Sequence, residues 1–490
     1  MTVPDLHPQT SILSPDPPTT HRLNACAYQQ SALTTLAHTQ YAAFYTPTPD
    51  PTTRFLTLAR RDLSNQTGEW HHLTFTDYAQ RTDDGHNTIS LGICAGDGTI
   101  HLAFDHHCDT LHFRLSQPGL AYDTRETSWT AASFGPVQSH LPGCSTLVDV
   151  TYPRFISAGR NLFFECRIGR AGAGSEALYA YTPALTTPAT TTDTPTLQSA
   201  DAGSKLGRYT PHPTHQALYL HGQNCNPYPN GLSFHPQTNT LHLTWTNRHF
   251  VPYDGAGDPT STAHKAQAGP NGPENNEGLY HVFAEVDDAP PGEGISVRWR
   301  GGTAKEILAT GAFGADLPAE EKAIGLDSQD PRLRVRDIPR GSGIMNQEGQ
   351  FVDADGGVHV LNRENTRQGR EEWVYYACLP DGKGKAEAKW ESWALEGVYP
   401  TETGLRGKVV CVQGRVWFVL PENEREEWVL ARWGREDGLE VVWRGKGFTG
   451  EPVVDERALV ELRVLSVFGL RIAGEGREVV VVTFGLEELS

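Results

Sequence analysis

The sequence predicts an all-β protein, and the architecture it favours is a seven-bladed β-propeller. Short apolar strands return in pairs around Gly, Asp and Asn turns, and the turn centres lie about 50 to 80 residues apart with one longer gap. The chain carries 49 glycines and 33 prolines in 490 residues, which is typical of a protein rich in turns. Helical periodicity between the strands is nearly absent, which argues against a parallel α/β fold.

The hairpin "DGHNTISLGICAGDGTIHLAFDHHC" at 84–108 illustrates the repeating unit. Ile89, Leu91 and Ile93 alternate with small or polar residues, a Gly-Asp-Gly turn follows, and a second alternating strand returns. Comparable hairpins are found at 41–61, 151–167, 230–248, 349–364, 408–422 and 459–485. Seven such units, each completed to a four-stranded sheet, predict seven blades around a channel.

We expect one propeller domain over residues 1–490. Two segments interrupt the pattern as surface insertions: a Thr/Pro-rich stretch near 182–204 and a Gly/Pro/Asn-rich stretch near 253–278. The composition also changes near 310–340, from a part rich in Thr, Pro and His to one rich in Glu, Arg and Val. Two separate all-β domains are therefore the alternative.

Charge and composition argue against several classes of partner. A formal net charge of −18 argues against nucleic acid and against an anionic membrane surface, and no apolar run approaches the ~20 residues of a membrane span. The eight cysteines are scattered and predict single thiols, with no disulfide framework. The first 20 residues lack the pattern of a secretory signal, so localisation stays open. We expect a monomer.

Polar residues collect at the open ends of the first three hairpins. With the first turn centred between Gly96 and Asp97, His107 lies opposite His86, and His106 lies one step of register away. A pair of histidines brought together is a candidate for proton transfer or for metal binding. A surface histidine cluster is the alternative reading.

The next two hairpins add a phenol and cations at the same end. Register places Arg167 opposite Tyr152 in the second hairpin. In the third, Trp245 faces Asn230, and Arg248 and His249 continue beyond the end of the strand. Because equivalent ends of successive blades share one face of a propeller, we expect these groups to converge around the channel mouth.

Such a set can eliminate across a uronic acid. We expect Arg167 to neutralise the sugar carboxylate, so the proton at C5 becomes more acidic and charge on the enolate-like intermediate is stabilised. A His or Tyr then removes that proton, and another group protonates the departing O4. Tyr152 becomes a plausible base where Arg167 favours its phenolate.

Metal binding is the weaker interpretation of the same residues. Zinc at His106, His107 and Cys108 lacks a second pair of ligands at a suitable spacing. The turn "DADGG" at 353–357 resembles a calcium loop but lacks the ligand at its twelfth position. We therefore expect no metal ligands at the active site and no required cofactor, while a structural calcium or other ion in the channel stays open.

Three ordered motifs resemble a known family. "DGHNTISLGI…GTIHLAFDHH", "TYPRFISAGRNLFFECRIGRAGAG" and "HLTWTNRHF" are similar to the BNR-repeat propeller polysaccharide lyases, which include ulvan lyases and rhamnosyl-α-1,4-glucuronate lyases that act on gum arabic side chains. The resemblance is clear over roughly residues 80 to 250. One departure is the sequence "CRIGRAG" at 166–172, where family members often have an aromatic, Gly-rich pattern.

The resemblance implies a polysaccharide lyase that cleaves a rhamnose–glucuronate linkage by β-elimination and leaves an unsaturated uronate. It implies His86, His106, Tyr152 and Arg167 as catalytic residues, with Arg248 as a sugar or carboxylate contact. The expected substrate contacts are Asn87, Asn230, Arg248 and His249. The partner is then an acidic polysaccharide or oligosaccharide, a substrate class for which secretion is expected.

Two alternatives belong to other functional classes. A non-catalytic propeller that binds a glycan or a protein would have no need of the proton-transfer pair. A sialidase-type glycoside hydrolase would need three arginines around a carboxylate, a Tyr–Glu nucleophile pair and an acid, which the sequence does not place at comparable strand ends.

Overall fold

A computed structural model describes residues 7–485, except 27–30, 65–67, 184–206, 256–257, 259–260, 262–274, 288–294, 302–306, 314–324, 366–370, 381–388, 401–404 and 423–425. The regular secondary structure of the described residues is almost entirely β-strand. Both predicted insertions, near 182–204 and near 253–278, lie largely outside the described residues. The assignment of 1–490 to a single domain stays a prediction.

The strands of the first part of the chain are, in order, β1 (Gln9–Pro15), β2 (Leu33–Leu36), β3 (Thr39–Pro47), β4 (Arg54–Asp62), β5 (His71–Gln80), β6 (Ile89–Cys94), β7 (Thr99–Phe104), β8 (His107–Asp109), β9 (Phe113–Leu115), β10 (Val150–Ala158), β11 (Asn161–Arg170), β12 (Ala173–Thr182), β13 (Arg208–Pro211), β14 (Leu218–His221), β15 (Cys225–His235) and β16 (Thr240–His249).

The strands of the second part are β17 (Asn276–Asp287), β18 (Ile295–Arg300), β19 (Ile307–Phe313), β20 (Leu326–Asp327), β21 (Arg334–Arg336), β22 (Gly349–Val352), β23 (Val358–Asn365), β24 (Glu371–Cys378), β25 (Trp390–Ala394), β26 (Lys408–Val412), β27 (Arg415–Glu422), β28 (Glu427–Gly434), β29 (Gly438–Lys446), β30 (Phe448–Val454), β31 (Val464–Ala473) and β32 (Gly476–Gly485). Short helical turns occur at Leu120–Tyr122, Glu126–Ser128, Ala131–Ser133, His215–Ala217, Pro331–Leu333 and Ala458–Leu462.

The all-β propeller is confirmed. Each of the seven predicted hairpins forms, and each lies in a different sheet. The innermost strands β2, β6, β10, β15, β22, β26 and β30 all contribute to the wall of a central cavity of about 660 Å³. The N-terminal strand β1 pairs antiparallel with the C-terminal strand β32, which brings the two ends of the described chain into one sheet.

The expected number of complete blades is wrong. Among the described residues, six sheets have four or more strands, whereas the sheet of β6, β7 and β9 has three, so the structure has six complete blades and not seven. The physical reason is that β8 leaves this hairpin and pairs with β10 of the next sheet. Between β9 and β10 the described chain makes only isolated bridges, Phe113 with Gln138, Ser116 with Phe134 and His140 with Thr146, and these do not extend into a fourth strand.

The core lies between neighbouring sheets. Inner strands such as β6 and β7 are buried along their whole length, and the largest buried side chains include Trp245, Trp299, Trp373 and Trp428, each essentially inaccessible to solvent. A buried aromatic side chain removes ~150–250 Å² from water, so these residues contribute strongly to holding adjacent blades together. A rigid frame of this kind fixes the strand ends where the candidate site lies.

Candidate active site

The candidate site lies at the open ends of three neighbouring blades, on the face opposite the hairpin turns. The inner strands β6 and β10 pack against each other, as do β10 and β15. Residues that precede β6 and that begin β10 and β15 therefore meet, as the register argument predicts. The hairpin β6–β7 has the expected register, with Ile89 opposite Phe104.

Two histidines share one carboxylate at the centre of the site. Asp84 Oδ1 lies 2.7 Å from His86 Nδ1, and Asp84 Oδ2 lies 2.6 Å from His107 Nδ1. The two imidazole rings are stacked almost parallel, with their centroids 4.0 Å apart. Since Nδ1 of each ring faces the carboxylate, Asp84 fixes the orientation of both rings and directs each Nε2 to the opposite side.

Burial sets the protonation states of this group. Desolvation, reinforced by the neighbouring His107, lowers the pKa of His86 to about 3. Burial alone would raise the pKa of Asp84, but the hydrogen bonds from His107 and His86 outweigh it and hold this pKa well below its usual range. Near neutral pH the carboxylate is ionised, His86 is neutral, and a neutral imidazole that donates through Nδ1 carries a proton-accepting lone pair on Nε2.

Tyr152 is the third member of the site. Its ring centroid lies 5.5 Å from that of His86, and the residue is 5% exposed. The backbone of Tyr152 has a φ of 56°, at an irregularity in β10 between Thr151 and Arg154. An aromatic residue rarely adopts this left-handed conformation, which costs ~1–3 kcal/mol and is found most often at functional sites.

Arg167 lies beneath the tyrosine ring. Its Cζ is 4.8 Å from the centroid of Tyr152, and the residue is 1% exposed. Nη2 donates to Thr151 Oγ1 at 2.8 Å, and Nη1 donates to Tyr228 Oη at 3.2 Å. Burial alone would lower the pKa of Arg167. Electrostatic attraction to the neighbouring groups, chiefly Tyr228, outweighs this effect and raises the pKa above its ordinary value.

The position of Arg167 changes its expected role. The sequence placed it opposite Tyr152, whereas the ladder pairs it with Thr151, because the irregularity in β10 shifts the register. The two side chains nevertheless meet. The guanidinium is buried under the phenol ring and is held there by Thr151 and Tyr228. It can act electrostatically on the tyrosine, but it is poorly placed to contact a bound carboxylate directly.

His106 lies outside the cluster that His86 and His107 form with Asp84, and its catalytic role stays a prediction. The backbone of Asp105 has a φ of 63°, which turns the chain before β8 and brings His107 beside His86. His106 is 1% exposed, and its Nε2 accepts a hydrogen bond of 2.7 Å from the backbone N–H of His112. Its ring also packs on that of His112, with centroids 5.5 Å apart.

Of the four expected substrate contacts, Arg248 and His249 lie near the site surface. Both are half-buried, and the Cζ of Arg248 is 6.0 Å from the ring centroid of Tyr228, which in turn packs 5.8 Å from the ring of Tyr152. His249 Nε2 lies 2.9 Å from Glu277 Oε1. The ring of Tyr228 therefore packs near both the Arg248 guanidinium and the ring of Tyr152.

Asn87 and Asn230 are built into the protein interior. Asn87 is 3% exposed and donates to Asp105 Oδ1 at 2.6 Å, which ties the residues before β6 to the end of β7. Asn230 is 2% exposed, lies at an irregularity in β15, and donates to Thr244 Oγ1 at 3.4 Å. It lines the central cavity and lies away from the histidine pair.

A family model decides the relationship of this chain to known proteins. The model described as "BNR repeat-containing family member" matches residues 39–393, which is more than half of the chain. The protein belongs to the BNR repeat-containing family. No curated protein matches the sequence.

Solved structures share the fold of this BNR-repeat protein at low sequence identity. The polysaccharide lyase Uly1 is 13% identical with a TM-score of 0.61, and the match covers 95% of this chain and 93% of that one. A PL25 ulvan lyase bound to -[GlcA(1-4)Rha3S]- is 12% identical with a TM-score of 0.55, covering 96% of this chain and 95% of that one. These matches establish a common propeller architecture.

Three residues of this site are absent from the catalytic and substrate-binding residues expected from the sequence. Asp84, His107 and Tyr228 each contact a predicted site residue. A signal existed for the first two, since Asp84 stands two residues before His86 and the register placed His107 opposite it. Tyr228 belongs to the next blade, and only the packing of β10 on β15 brings it to Arg167.

Two groups of side chains in the described part of the chain have the atoms to hold a metal ion. One is Asp84, His86 and His107, and the other is Asp353, His359 and Cys411; within each group the ligand atoms lie within 4.8 Å of one another. The expectation of a site without metal ligands is thus untested. No helix among the described residues is long and apolar enough to cross a membrane.

Proposed function

We propose that this protein is a polysaccharide lyase that cleaves the bond to O4 of a uronic acid by β-elimination, with a rhamnose–glucuronate polymer of the ulvan or gum arabic type as its substrate. The observation that carries the proposal is the group of His86, Asp84 and His107 beside Tyr152, with Arg167 under the tyrosine ring. It combines two proton-transfer groups with a fixed positive charge.

The reaction needs a base at C5 and an acid at O4. In elimination the C5–H bond breaks and its electron pair forms the C4=C5 double bond, while the C4–O4 bond breaks and O4 leaves with its electron pair and takes up a proton. His86 offers an acceptor nitrogen whose orientation Asp84 fixes. Tyr152 offers a phenol, and the ring centroids of the two residues are 5.5 Å apart.

The two arginines have different tasks in this proposal. Arg167 lies against the ring of Tyr152 and favours charge on its oxygen. Arg248 is half-buried at the surface of the site, where it can face the uronate carboxylate and stabilise the negative charge that develops when the C5 proton leaves. The sequence interpretation gave carboxylate binding to Arg167, and the burial of that residue moves the task to Arg248.

Two independent lines support the substrate class. The motifs around His86, Tyr152 and Arg248 resemble those of BNR-type lyases of rhamnose- and glucuronate-containing polymers. A structure that shares the propeller fold is described as an ulvan lyase bound to -[GlcA(1-4)Rha3S]-.

The test is incubation of the protein with ulvan, gum arabic and other glucuronate polymers, monitored by the ultraviolet absorbance of the unsaturated uronate. A carboxyl-reduced sample of the same polymer is the matched control, because it lacks the group that acidifies C5. A rise in absorbance with the native polymer alone supports the proposal. New reducing ends without unsaturation would indicate hydrolysis, and retention on immobilised polymer without turnover would indicate a binding platform; both outcomes reject it.

A further inference from the structure

A second cluster of potential ligands lies at the opposite face of the propeller, where the hairpin turns are. Asp353 and His359 flank the "DADGG" turn between β22 and β23, and Cys411 lies in β26 of the next blade. The inner strands β22 and β26 pack side by side. Asp353 and Cys411 both line the central cavity, so the cluster joins two blades at its wall.

The three ligand atoms already face one another. His359 Nε2 lies 2.9 Å from Asp353 Oδ2, and Cys411 Sγ lies within 4.8 Å of both. His359 is 1% exposed and Cys411 is 6% exposed. Nitrogen, carboxylate oxygen and sulfur are the donor types that zinc accepts, usually in a four-coordinate arrangement.

Hydrogen bonds hold the two hairpin ligands in position. Asp353 Oδ1 accepts the backbone N–H groups of Asp355 at 2.9 Å and Gly357 at 2.7 Å, which leaves Oδ2 directed at His359. His359 Nδ1 lies 2.7 Å from Tyr375 Oη. An outer hydrogen bond of this kind fixes the ring and the tautomer of a histidine that binds metal through Nε2.

The aromatic surroundings make this arrangement rigid. Tyr375 is stacked on His359 with ring centroids 5.9 Å apart and planes 5° from parallel. Its other contacts are with Trp393, Phe418 and Trp433, at centroid distances of 5.3, 5.4 and 5.0 Å. The Tyr375 hydroxyl therefore has a fixed place beside His359.

The donor set selects the class of metal. Calcium takes six to eight oxygen ligands, whereas two of the three donors here are an imidazole and a thiol. Burial, followed by the nearby Asp353 carboxylate, raises the pKa of the Cys411 thiol to about 12. A bound zinc ion would displace that proton and offset the negative charges of Asp353 and the thiolate.

We propose that Asp353, His359 and Cys411 form a zinc site at the wall of the central cavity that ties the β22–β25 blade to the β26–β29 blade. The site is separate from the histidine pair of the other face. The zinc proposal therefore does not depend on the lyase proposal, and each can be tested separately.

The experiment is titration of the full-length protein, stripped of metal by a chelator, with Co²⁺ as a spectroscopic probe and with Zn²⁺ in competition. The wild type should bind one Co²⁺ with a thiolate-to-cobalt charge-transfer band, and Zn²⁺ should remove the band. Cys411→Ser should lose the band, whereas Cys144→Ser, which changes a cysteine in a loop of another blade, should keep it. Tyr375→Phe should weaken Zn²⁺ binding by about 10- to 100-fold, because the outer hydrogen bond is lost.

Two further variants keep the test decisive. Asp353→Asn removes a ligand charge without touching the thiol, so it should also weaken binding if Cys411→Ser does not fold. His107→Asn separates this site from the histidine pair and should leave the cobalt band intact. Absence of a thiolate band in the wild type, or a band that survives Cys411→Ser and disappears in His107→Asn, would overturn the proposal.

Discussion

Arg167 and Arg363 occupy similar places in two different blades and have opposite surroundings. Each lies near the open end of the second hairpin strand, each is 1% exposed, and each packs on an aromatic ring, at 4.8 Å from Tyr152 and 4.9 Å from Trp373. Arg363 lies 3.2 Å from each of two carboxylates, those of Glu348 and Glu371. The hydrogen-bond partners of Arg167 are Thr151, Tyr228 and Cys108, and none of the three carries a carboxylate.

The acid opposite Arg167 in the sheet does not change this contrast. Glu176 stands opposite Arg167 in the β11–β12 ladder, but burial, reinforced by Glu165, raises the pKa of Glu176 well above its ordinary value. The positive charge of Arg167 is thus left to act on Tyr152. In the C-terminal blades a buried arginine is paired with a carboxylate, as Arg406 also is at 2.9 Å from Glu451. The buried arginine of the second hairpin strand therefore stabilises the fold in the case of Arg363, whereas Arg167 supplies positive charge beside Tyr152.

The largest effect is expected at Tyr152. Tyr152→Phe removes the phenolic proton-transfer group and keeps the ring on Arg167, so turnover should fall by about 10²- to 10⁴-fold with little loss of stability. Initial rates on the best glucuronate polymer, with thermal unfolding of the same samples, measure both. Tyr41→Phe, a buried tyrosine bonded to the Ala121 carbonyl, is the matched control and should keep full activity.

The arginine pair tests the comparison itself. Arg363→Met leaves Glu348 buried without its partner and should lower the free energy of unfolding by about 3–5 kcal/mol. Arg167→Met should instead lower turnover by about 10²- to 10³-fold, because a positive charge at the reacting group is lost. Denaturant unfolding and rate measurements on both variants decide the matter. Equal losses of activity in the two folded variants would contradict the division of roles.

Variants of His107 and His106 test which of these two histidines belongs to the site. His107→Asn breaks a buried bond to the Asp84 carboxylate and should lower turnover by about 10- to 100-fold. His106→Asn removes a side chain that bonds to the backbone of His112, so it should act on stability and leave the rate of the folded protein unchanged. A larger effect on turnover at His106 would restore the assignment made from sequence.

The smallest effect concerns acid stability. Nineteen of the 20 histidines precede residue 331, and His359 is the exception. Burial lowers the pKa of His101 and of His281 to about 3, so both are neutral in the folded protein and become protonated more readily on unfolding. Their stabilising contribution is complete above the unfolded pKa of about 6.5 and is lost as pH falls towards the folded value.

Each such histidine should therefore cost about 1 kcal/mol of stability when the pH is lowered from about 7 to about 5.5. Hydrogen exchange at the two pH values should show the blades that contain His101 and His281 loosening first. Uniform loosening that includes the β26–β29 blade would show that the two regions do not differ in this respect.

Sequence reasoning succeeded where hairpin turns set the register. All seven hairpins form, and the pairing of β6 with β7 places His107 opposite His86 as the turn predicts. It failed where the backbone leaves the ladder. After the positive φ of Asp105, His106 bonds to the backbone of His112 and lies outside the cluster, and the irregularity at Tyr152 moves Arg167 by one residue. The number of complete blades was wrong for a related reason, since β8 pairs with the next sheet.

Contacts between blades were the least predictable. Tyr228 reaches Arg167 from the neighbouring blade, and Cys411 reaches Asp353 in the same way. A period in the sequence indicates that blades exist, but the distance between two side chains of different blades depends on how the inner strands pack.

The most direct test of the account is the product formed from a defined glucuronate oligosaccharide by the wild type and by Tyr152→Phe, analysed by mass spectrometry. Elimination gives a unit lighter than the hydrolysis product by one water, with a C4=C5 double bond. The account predicts this unsaturated product from the wild type and its near absence with the variant. A hydrolysis product, or the unsaturated product at an unchanged rate from Tyr152→Phe, would contradict it.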